Sequence, residues 1–361
     1  MGNFHHPAAG GDKEDSARER YYRLPRSLSI SRQVAVTPGS IGEWNMKNSR
    51  KITVLGAGNV GASIAYTLTL EGICSEVVLI DINEKKAQGE AMDIRQGLNF
   101  TRSMRIYAGG YEDAVGSDVV VVTIGAARRP GQSRIDLAQG NVEILRSVMP
   151  RIVQYAPHAV YVVVSNPVDI LTYAALKFTG LPAQQVIGSG TMLDTSRLRS
   201  ALAERVGLTP QNVHAYVLGE HGDSSVIPWS LTAISGMAVG AYCSINPESN
   251  FCNAEESTAI EDEVRHSGAR VIDLKGATYY AIAMSVARLC ECILRDLGTV
   301  FTVSSLVSGS YGIEDVCLSL PFVVDGGGVR RVLEPPLLEE EKRQLLHSAQ
   351  VLKTAIASLT I

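Results

Sequence analysis

The feature that most constrains this chain is a short apolar run that feeds directly into a glycine turn and then a helix. Lys51-Ile52-Thr53-Val54-Leu55 has a buried-strand pattern, Gly56-Ala57-Gly58-Asn59-Val60-Gly61 follows without a spacer, and Ala62-Ser63-Ile64-Ala65-Tyr66-Thr67-Leu68 continues as a helix. In this context Gly56 makes the tight turn, Gly58 lets a pyrophosphate approach the backbone, and Gly61 lets the helix pack closely on the strand. The first N–H groups of the helix are unpaired donors in a positive potential, which suits phosphate. A second apolar run, Glu76-Val77-Val78-Leu79-Ile80, ends in Asp81. A carboxylate at that spacing accepts hydrogen bonds from both ribose hydroxyls and repels a 2′-phosphate, so the expected cofactor is NAD rather than NADP.

Further strand candidates stand at 104–108, 118–124, 159–165 and 185–188, with helical segments between them at 89–97 and 135–154. Six strand signals alternating with helices predict an α/β fold with an N-terminal doubly wound parallel sheet, and ligands at the carboxyl ends of its strands. After Gly188 the pattern becomes mixed: helical 195–206, strand-like 213–218, helical 254–273 and 278–297, then short strands through 300–332 with a hairpin turn at Asp325-Gly326-Gly327-Gly328. A last helix opens on Glu339-Glu340-Glu341, acidic where the helix dipole favours negative charge, and carries the apolar stripe Leu345, Ala349, Leu352, Ile356 and Leu359. The expected division is an extension over 1–48, a Rossmann NAD domain over 49–188 and an α+β substrate domain over 189–361.

Composition narrows the partners. A chain of 361 residues, 45% hydrophobic and 19% charged, buries a sizeable core, and a net charge of −4 offers no basic field for nucleic acid or an anionic membrane. Small molecules are the expected partners. The six cysteines form no CxxC pair, and Cys290 and Cys292 point to different faces of one helix, so neither a zinc site nor a disulfide framework is expected. No apolar run reaches the ~20 residues a membrane helix needs, and a reducing cytoplasm is the expected compartment. The first 48 residues hold no helix or strand period and are expected to be disordered, with Met46 a candidate natural start. Asp12, Glu14, Asp15 and Glu19 argue against a transit peptide.

Five ordered stretches carry a resemblance: the glycine turn, Pro130-Gly131-Gln132-Ser133-Arg134, Ser165-Asn166-Pro167-Val168-Asp169, the run from Gly188 through Thr191-Met192-Leu193-Asp194 to Arg197, and Gly219-Glu220-His221-Gly222-Asp223-Ser224-Ser225. Together they are similar to the L-lactate and malate dehydrogenase family over 51–361, nearest to its allosteric bacterial lactate enzymes. The resemblance implies reversible hydride transfer between a 2-hydroxy acid and NAD, with His221 as the acid that titrates near neutrality and Asp194 holding the imidazole. It implies that Arg197 forks onto the substrate carboxylate, that Arg134 polarises the carbonyl from a closing loop, and that Asn166 and Thr278 line the substrate pocket. Asn59, Val60, Gly125 and Asn166 join Gly56, Gly58, Gly61 and Asp81 on the cofactor. No metal is implied.

One position conflicts with the rest. Arg128 stands where lactate enzymes of the family carry Gln and malate enzymes carry Arg, which argues for oxaloacetate; Arg128 and its neighbour Arg129 could also swing outward at a loop tip. Against malate stand the histidine run, the segment 275–285 with Thr278, and Arg199 with His214, which match the pair that binds fructose 1,6-bisphosphate between subunits in allosteric lactate enzymes. The expected function is L-lactate dehydrogenase, a homotetramer with that bisphosphate as effector; malate dehydrogenase is the alternative. Two readings from other classes are a non-catalytic NAD sensor, which needs no His221, Asp194, Arg197 and Arg134 together, and a sugar-cleaving NAD enzyme, whose metal ligands are not seen beside Asn166 or Ser189.

Overall fold

The computed structural model describes residues 50–126, 134–246 and 253–361. The leading extension, Arg128, Arg129, the 130–133 segment and the side chain of Arg134 lie outside the described part, and so do the expectations attached to them. Residues 48–361 form one compact unit.

Six strands, β1 (Lys51–Leu55), β2 (Glu76–Ile80), β3 (Arg105–Ala108), β4 (Val119–Val122), β5 (Val160–Val163) and β6 (Val186–Gly188), stand where the apolar runs predict them. They pair in parallel in the order β3-β2-β1-β4-β5-β6. Every residue of β4 and β5 is buried. A strand buried on both faces needs no polar alternation, which is why β4 reads as four consecutive Val and β5 as Val with one Tyr. The order reverses between β1 and β4, and the glycine turn opens at that switch point, the usual place for a ligand in an open α/β sheet.

The helices α1 (Asn59–Glu71), α2 (Glu84–Gln96), α3 (Arg134–Ile152) and α4 (Val168–Thr179) connect these strands. The second half adds α5 (Met192–Val206), the short α6 (Val239–Ile245), the long α7 (Ala254–Lys275), α8 (Tyr280–Arg295) and α9 (Glu339–Ala357). Its antiparallel strands β10 (Thr299–Ser308), β11 (Glu314–Asp325) and β12 (Gly328–Val332) do not form a separate sheet: β10 pairs with β6 at Ser304 and Gly188, making one sheet of nine strands among the described residues. β10 and β11, at ten and twelve residues, are longer than the short strands expected.

The strand-like 213–218 run shortens to β7 (Val213–His214), which joins β8 (Ala233–Ile234) and β9 (Met237–Ala238). Beyond His214 the backbone finds side-chain partners on α5 instead of a ladder: Arg199 donates to the Ala215 carbonyl and Val217 N–H donates to Thr195 Oγ1 at 3.0 Å. A small second core of Leu198, Leu202, Val213, Val217, Ile234 and Ile260 forms beneath. On α9, Leu345, Ala349 and Leu352 are buried and Ile356 packs at the edge of the main core, as does Leu359 just beyond the helix end.

Cysteine usage departs from the expectation at one place. Cys243 on α6 is disulfide-bonded, whereas Cys74, Cys290, Cys292 and Cys317 are free and buried. One bridge is not a framework, and the main core closes without it. Among the described residues no helix is long and apolar enough to cross a membrane, and no cluster of His, Cys, Asp and Glu is placed to hold a metal.

Candidate active site

The glycine turn is locked by the strands on either side of it. Gly56 N–H donates to the Ile80 carbonyl at 2.7 Å, Thr123 at the end of β4 donates to the Leu55 carbonyl at 2.8 Å, and Ala57 N–H donates to Asp81 Oδ2 at 2.6 Å. Asp81 Oδ1 accepts from Asn83 N–H, so the carboxylate is held facing the turn with lone pairs to spare. Gly56 has φ of 100°, a conformation open to glycine and strained for other residues.

Gly58 and Gly61 differ in what they make room for. A Cβ on Gly61 would lie 1.9 Å from the Gly56 carbonyl oxygen, so its lack of a side chain is what lets α1 sit on the turn. A Cβ on Gly58 would meet nothing within 4 Å. No side chain caps α1 at Gly58 and no acid stands in its first turn, so the helix itself supplies no anion to compete for its first N–H donors. That is the fit expected of a pyrophosphate cradle.

A cleft of about 320 Å³ begins at Val60 beside this turn and is lined by Asn166, Asp194, Arg197, His221 and Thr278 among others. The residues that the motifs single out over more than 200 positions therefore converge on one cavity. His221 sits on the loop that follows Gly219, whose φ is 85°. Its Nδ1 lies 2.5 Å from Asp194 Oδ2, and Arg197 Nη1 donates to the other Asp194 oxygen at 2.8 Å. Asp194 and Arg197 are three apart on α5 and so share a face. Gly268 on α7 stands close by: a Cβ there would lie 3.5 Å from the Arg197 guanidinium.

The electrostatics of the trio follow from burial opposed by charge. Burial penalises a charged imidazole, but the Asp194 charge and hydrogen bond, helped by Asp169, outweigh it and raise the His221 pKa above its ordinary value. For Asp194 burial pushes upward, and the His221 and Arg197 charges and hydrogen bonds overcome it and hold the carboxyl below its usual range. The trio is thus a carboxylate that stays ionised and an imidazole that keeps its proton to higher pH, beside a fixed cation. It can hold one proton for delivery and orient one anion.

Several supports escaped sequence reasoning. Asn141 on α3 is buried; its Oδ1 accepts from Ala126 N–H, next to Gly125, and its Nδ2 donates to the Asn166 carbonyl, both at 2.8 Å. Ser348 on α9 accepts from Glu220 N–H at 2.8 Å and bonds the Ser224 hydroxyl, bracing the histidine loop from outside the cleft. These partners lie 25 and 128 residues apart in sequence, and no local pattern announces them. Away from the cleft, Arg199 bonds the Ala215 carbonyl, next to the exposed His214. Burial lowers the Arg199 pKa against the neighbouring Tyr216.

Comparison with known proteins agrees with this geometry. Residues 50–188 match the profile of the lactate/malate dehydrogenase NAD binding domain, and residues 191–360 match that of the lactate/malate dehydrogenase alpha/beta C-terminal domain. L-lactate dehydrogenase 1 of Clostridium acetobutylicum is 46% identical over 314 residues, covering 87% of this chain and 100% of that protein. An L-lactate dehydrogenase of Thermoanaerobacterium saccharolyticum is 46% identical over 86% of this chain and 99% of its own length. Among solved structures, the minor L-lactate dehydrogenase of Enterococcus mundtii superposes with a TM-score of 0.83 at 38% identity, over 87% of this chain and all of that one. With both halves matched in order and the convergent cleft between Val60 and His221, the chain belongs to the lactate/malate dehydrogenase family.

Proposed function

We propose that this protein is an NAD-dependent L-lactate dehydrogenase that interconverts (S)-lactate and pyruvate. The observation that carries the reading is the cleft in which Val60, on the cofactor turn, meets the His221, Asp194 and Arg197 trio. Residues 49–188 hold the dinucleotide, through Gly56, Gly58, Asn59, Val60, Gly61, Gly125 and Asn166, with Asp81 on the ribose selecting NAD. Residues 189–361 supply most of the substrate side.

When bound, NADH supplies the hydride for the keto carbon. The protein's own residues do the rest. Arg197 pairs with the substrate carboxylate through its guanidinium fork, which fixes the face of the ketone presented to the cofactor. His221 gives the proton on Nε2 to the carbonyl oxygen while Nδ1–H stays on Asp194, so the product is a neutral hydroxyl and a neutral imidazole. Asn166 and Thr278 contact the substrate, and Arg134 polarises the carbonyl. In the oxidation direction His221 must start neutral and take the hydroxyl proton. A non-catalytic NAD sensor has no use for a proton donor and an anion clamp in one cavity.

A malate reading rests on Arg128, which would meet a second substrate carboxylate; the relatives named as L-lactate dehydrogenases favour lactate. Arg199 and His214, doubled about a dimer axis in a homotetramer, form the site proposed for fructose 1,6-bisphosphate. The test is NADH oxidation with pyruvate and with oxaloacetate, each with and without the bisphosphate. Higher kcat/KM for pyruvate, raised by the bisphosphate, is expected. A preference for oxaloacetate that the bisphosphate does not alter would make the protein a malate dehydrogenase.

The glycines give a second expected outcome. Gly61→Ala forces the turn and α1 apart and should cost about 1–3 kcal/mol or more of stability, seen as a lower Tm without any ligand. Gly58→Ala should leave Tm unchanged and weaken NADH binding about tenfold or more, a loss of ~1.4 kcal/mol. Titration of NADH fluorescence alongside thermal melts separates the two. Equal effects of both variants on Tm would contradict the assignment of Gly58 to the pyrophosphate.

A further inference from the structure

The long helix α7 carries a glycine that nothing in the backbone requires. Gly268 lies inside this 22-residue helix and its φ is not positive. The three atoms nearest to a Cβ built there all belong to the Arg197 guanidinium, at 3.5, 3.6 and 3.9 Å, which are ordinary contacts. Alanine would therefore fit, and it would hold the helix better, because glycine loses more conformational freedom on folding. A residue that weakens its helix without relieving a strain or a clash calls for a use outside the helix.

That use lies on the cleft side. Val264, Gly268 and Ile272 follow one another at a spacing of four and all line the cleft, so they form one row on one face of α7. Gly268 is a notch in that row, between two branched apolar side chains and beside the arginine assigned to the substrate carboxylate. Ile272 lines the cavity and is still 49% exposed. Leu193 and Ile282 extend the apolar wall from α5 and α8. Arg197 and His221 meet the polar groups of a keto acid, and these walls offer apolar contact to the rest of it. The methyl group of pyruvate is the smallest such remainder and has no need of a notch.

We propose that Gly268 is a specificity-determining residue that widens the substrate class to 2-keto acids with apolar side chains larger than methyl, such as 4-methyl-2-oxopentanoate. The side chain enters the notch between Val264 and Ile272 while Arg197 holds the carboxylate. The chemistry is unchanged: C2 gains the hydride of NADH, the carbonyl oxygen gains the His221 proton, and the products are the 2-hydroxy acid and NAD+. The inference rests on the dehydrogenase reading of the cleft.

Gly268→Ala fills the notch with one methyl group. The measurement is kcat/KM for pyruvate and for 4-methyl-2-oxopentanoate in the wild type and the variant, with Tm recorded for both proteins. The wild type is expected to reduce both acids. In Gly268→Ala the efficiency for the larger acid relative to pyruvate should fall about tenfold or more, the usual effect of one methyl group misplaced in an apolar pocket, while Tm rises by about 2 °C. Gly268→Val should lower the ratio further. Loss of both substrates by the same factor would mean that the glycine clears the Arg197 fork and not a side-chain pocket, and overturns the proposal. So does a ratio that neither variant moves. A wild type that reduces pyruvate and rejects the larger acid also overturns it and leaves the dehydrogenase reading intact. A wild type that reduces neither acid sinks that reading itself.

Discussion

Replacing His221 with asparagine is expected to lower kcat/KM for pyruvate reduction by about 10²–10⁴-fold, the range that a positioned proton donor contributes, with NADH affinity unchanged. The argument is local. His221 reaches the cleft from a loop braced by Asp169 and Ser348 through backbone N–H groups, so the braces survive the change of side chain. Asp194 keeps its Arg197 partner at 2.8 Å and is not left as an unpaired buried charge. What disappears is the group able to carry a proton at neutral pH. Steady-state kinetics with NADH titration check this; a variant that keeps more than a tenth of the wild-type rate would remove His221 from the chemistry.

Arg197→Leu is the second large effect, and its origin can be separated from that of His221. Loss of a fork onto the substrate carboxylate should cost about 2–5 kcal/mol, or roughly 30- to 5,000-fold in kcat/KM, mostly as a raised KM. The Arg197 charge also lowers the His221 pKa, so its removal leaves the imidazole more protonated at neutral pH, not less. A shortage of protonated His221 therefore cannot explain the lost reduction. Arg197→Lys should recover part of the loss, because an ammonium keeps the charge but not the two parallel bonds. Reduction of a ketone without a carboxylate, slow in the wild type, should be little changed by either variant. If that ketone were lost in proportion to pyruvate, Arg197 would be acting through Asp194 and not on the substrate.

The legible parts of the molecule are those in which function or burial leaves a local trace. β1 to β6 read as strands because a parallel sheet covered on both faces demands apolar residues at consecutive positions. The glycine turn and Asp81 read as a cofactor site because the phosphate and the ribose constrain residues at fixed spacing. Bringing Asp194, Arg197 and His221 together was legible only through the family resemblance, since 27 residues separate Asp194 from its histidine. The 213–218 run misled because Thr195 and Arg199 satisfy the backbone that a strand ladder would otherwise take. β11 hid its length because Pro321 interrupts an apolar run, yet the strand continues through it for twelve residues. Asp169, Asn141 and Ser348 act through backbone groups of distant segments, and such contacts have no period to read.

The pH dependence of the reaction run in both directions tests the central claim, that one Asp194-held imidazole gives and takes the proton. Reduction of pyruvate needs protonated His221, so its kcat/KM should be level at low pH and fall as pH rises through the His221 pKa. Oxidation of lactate needs the neutral ring and should rise through the same pH. Because the Asp194 charge outweighs burial, the shared midpoint is expected above the ordinary histidine value of about 6.5. Mirror-image profiles crossing at one midpoint above that value are the predicted result. Two profiles with unrelated midpoints, or with the same slope, would show that His221 is not the group that carries the proton.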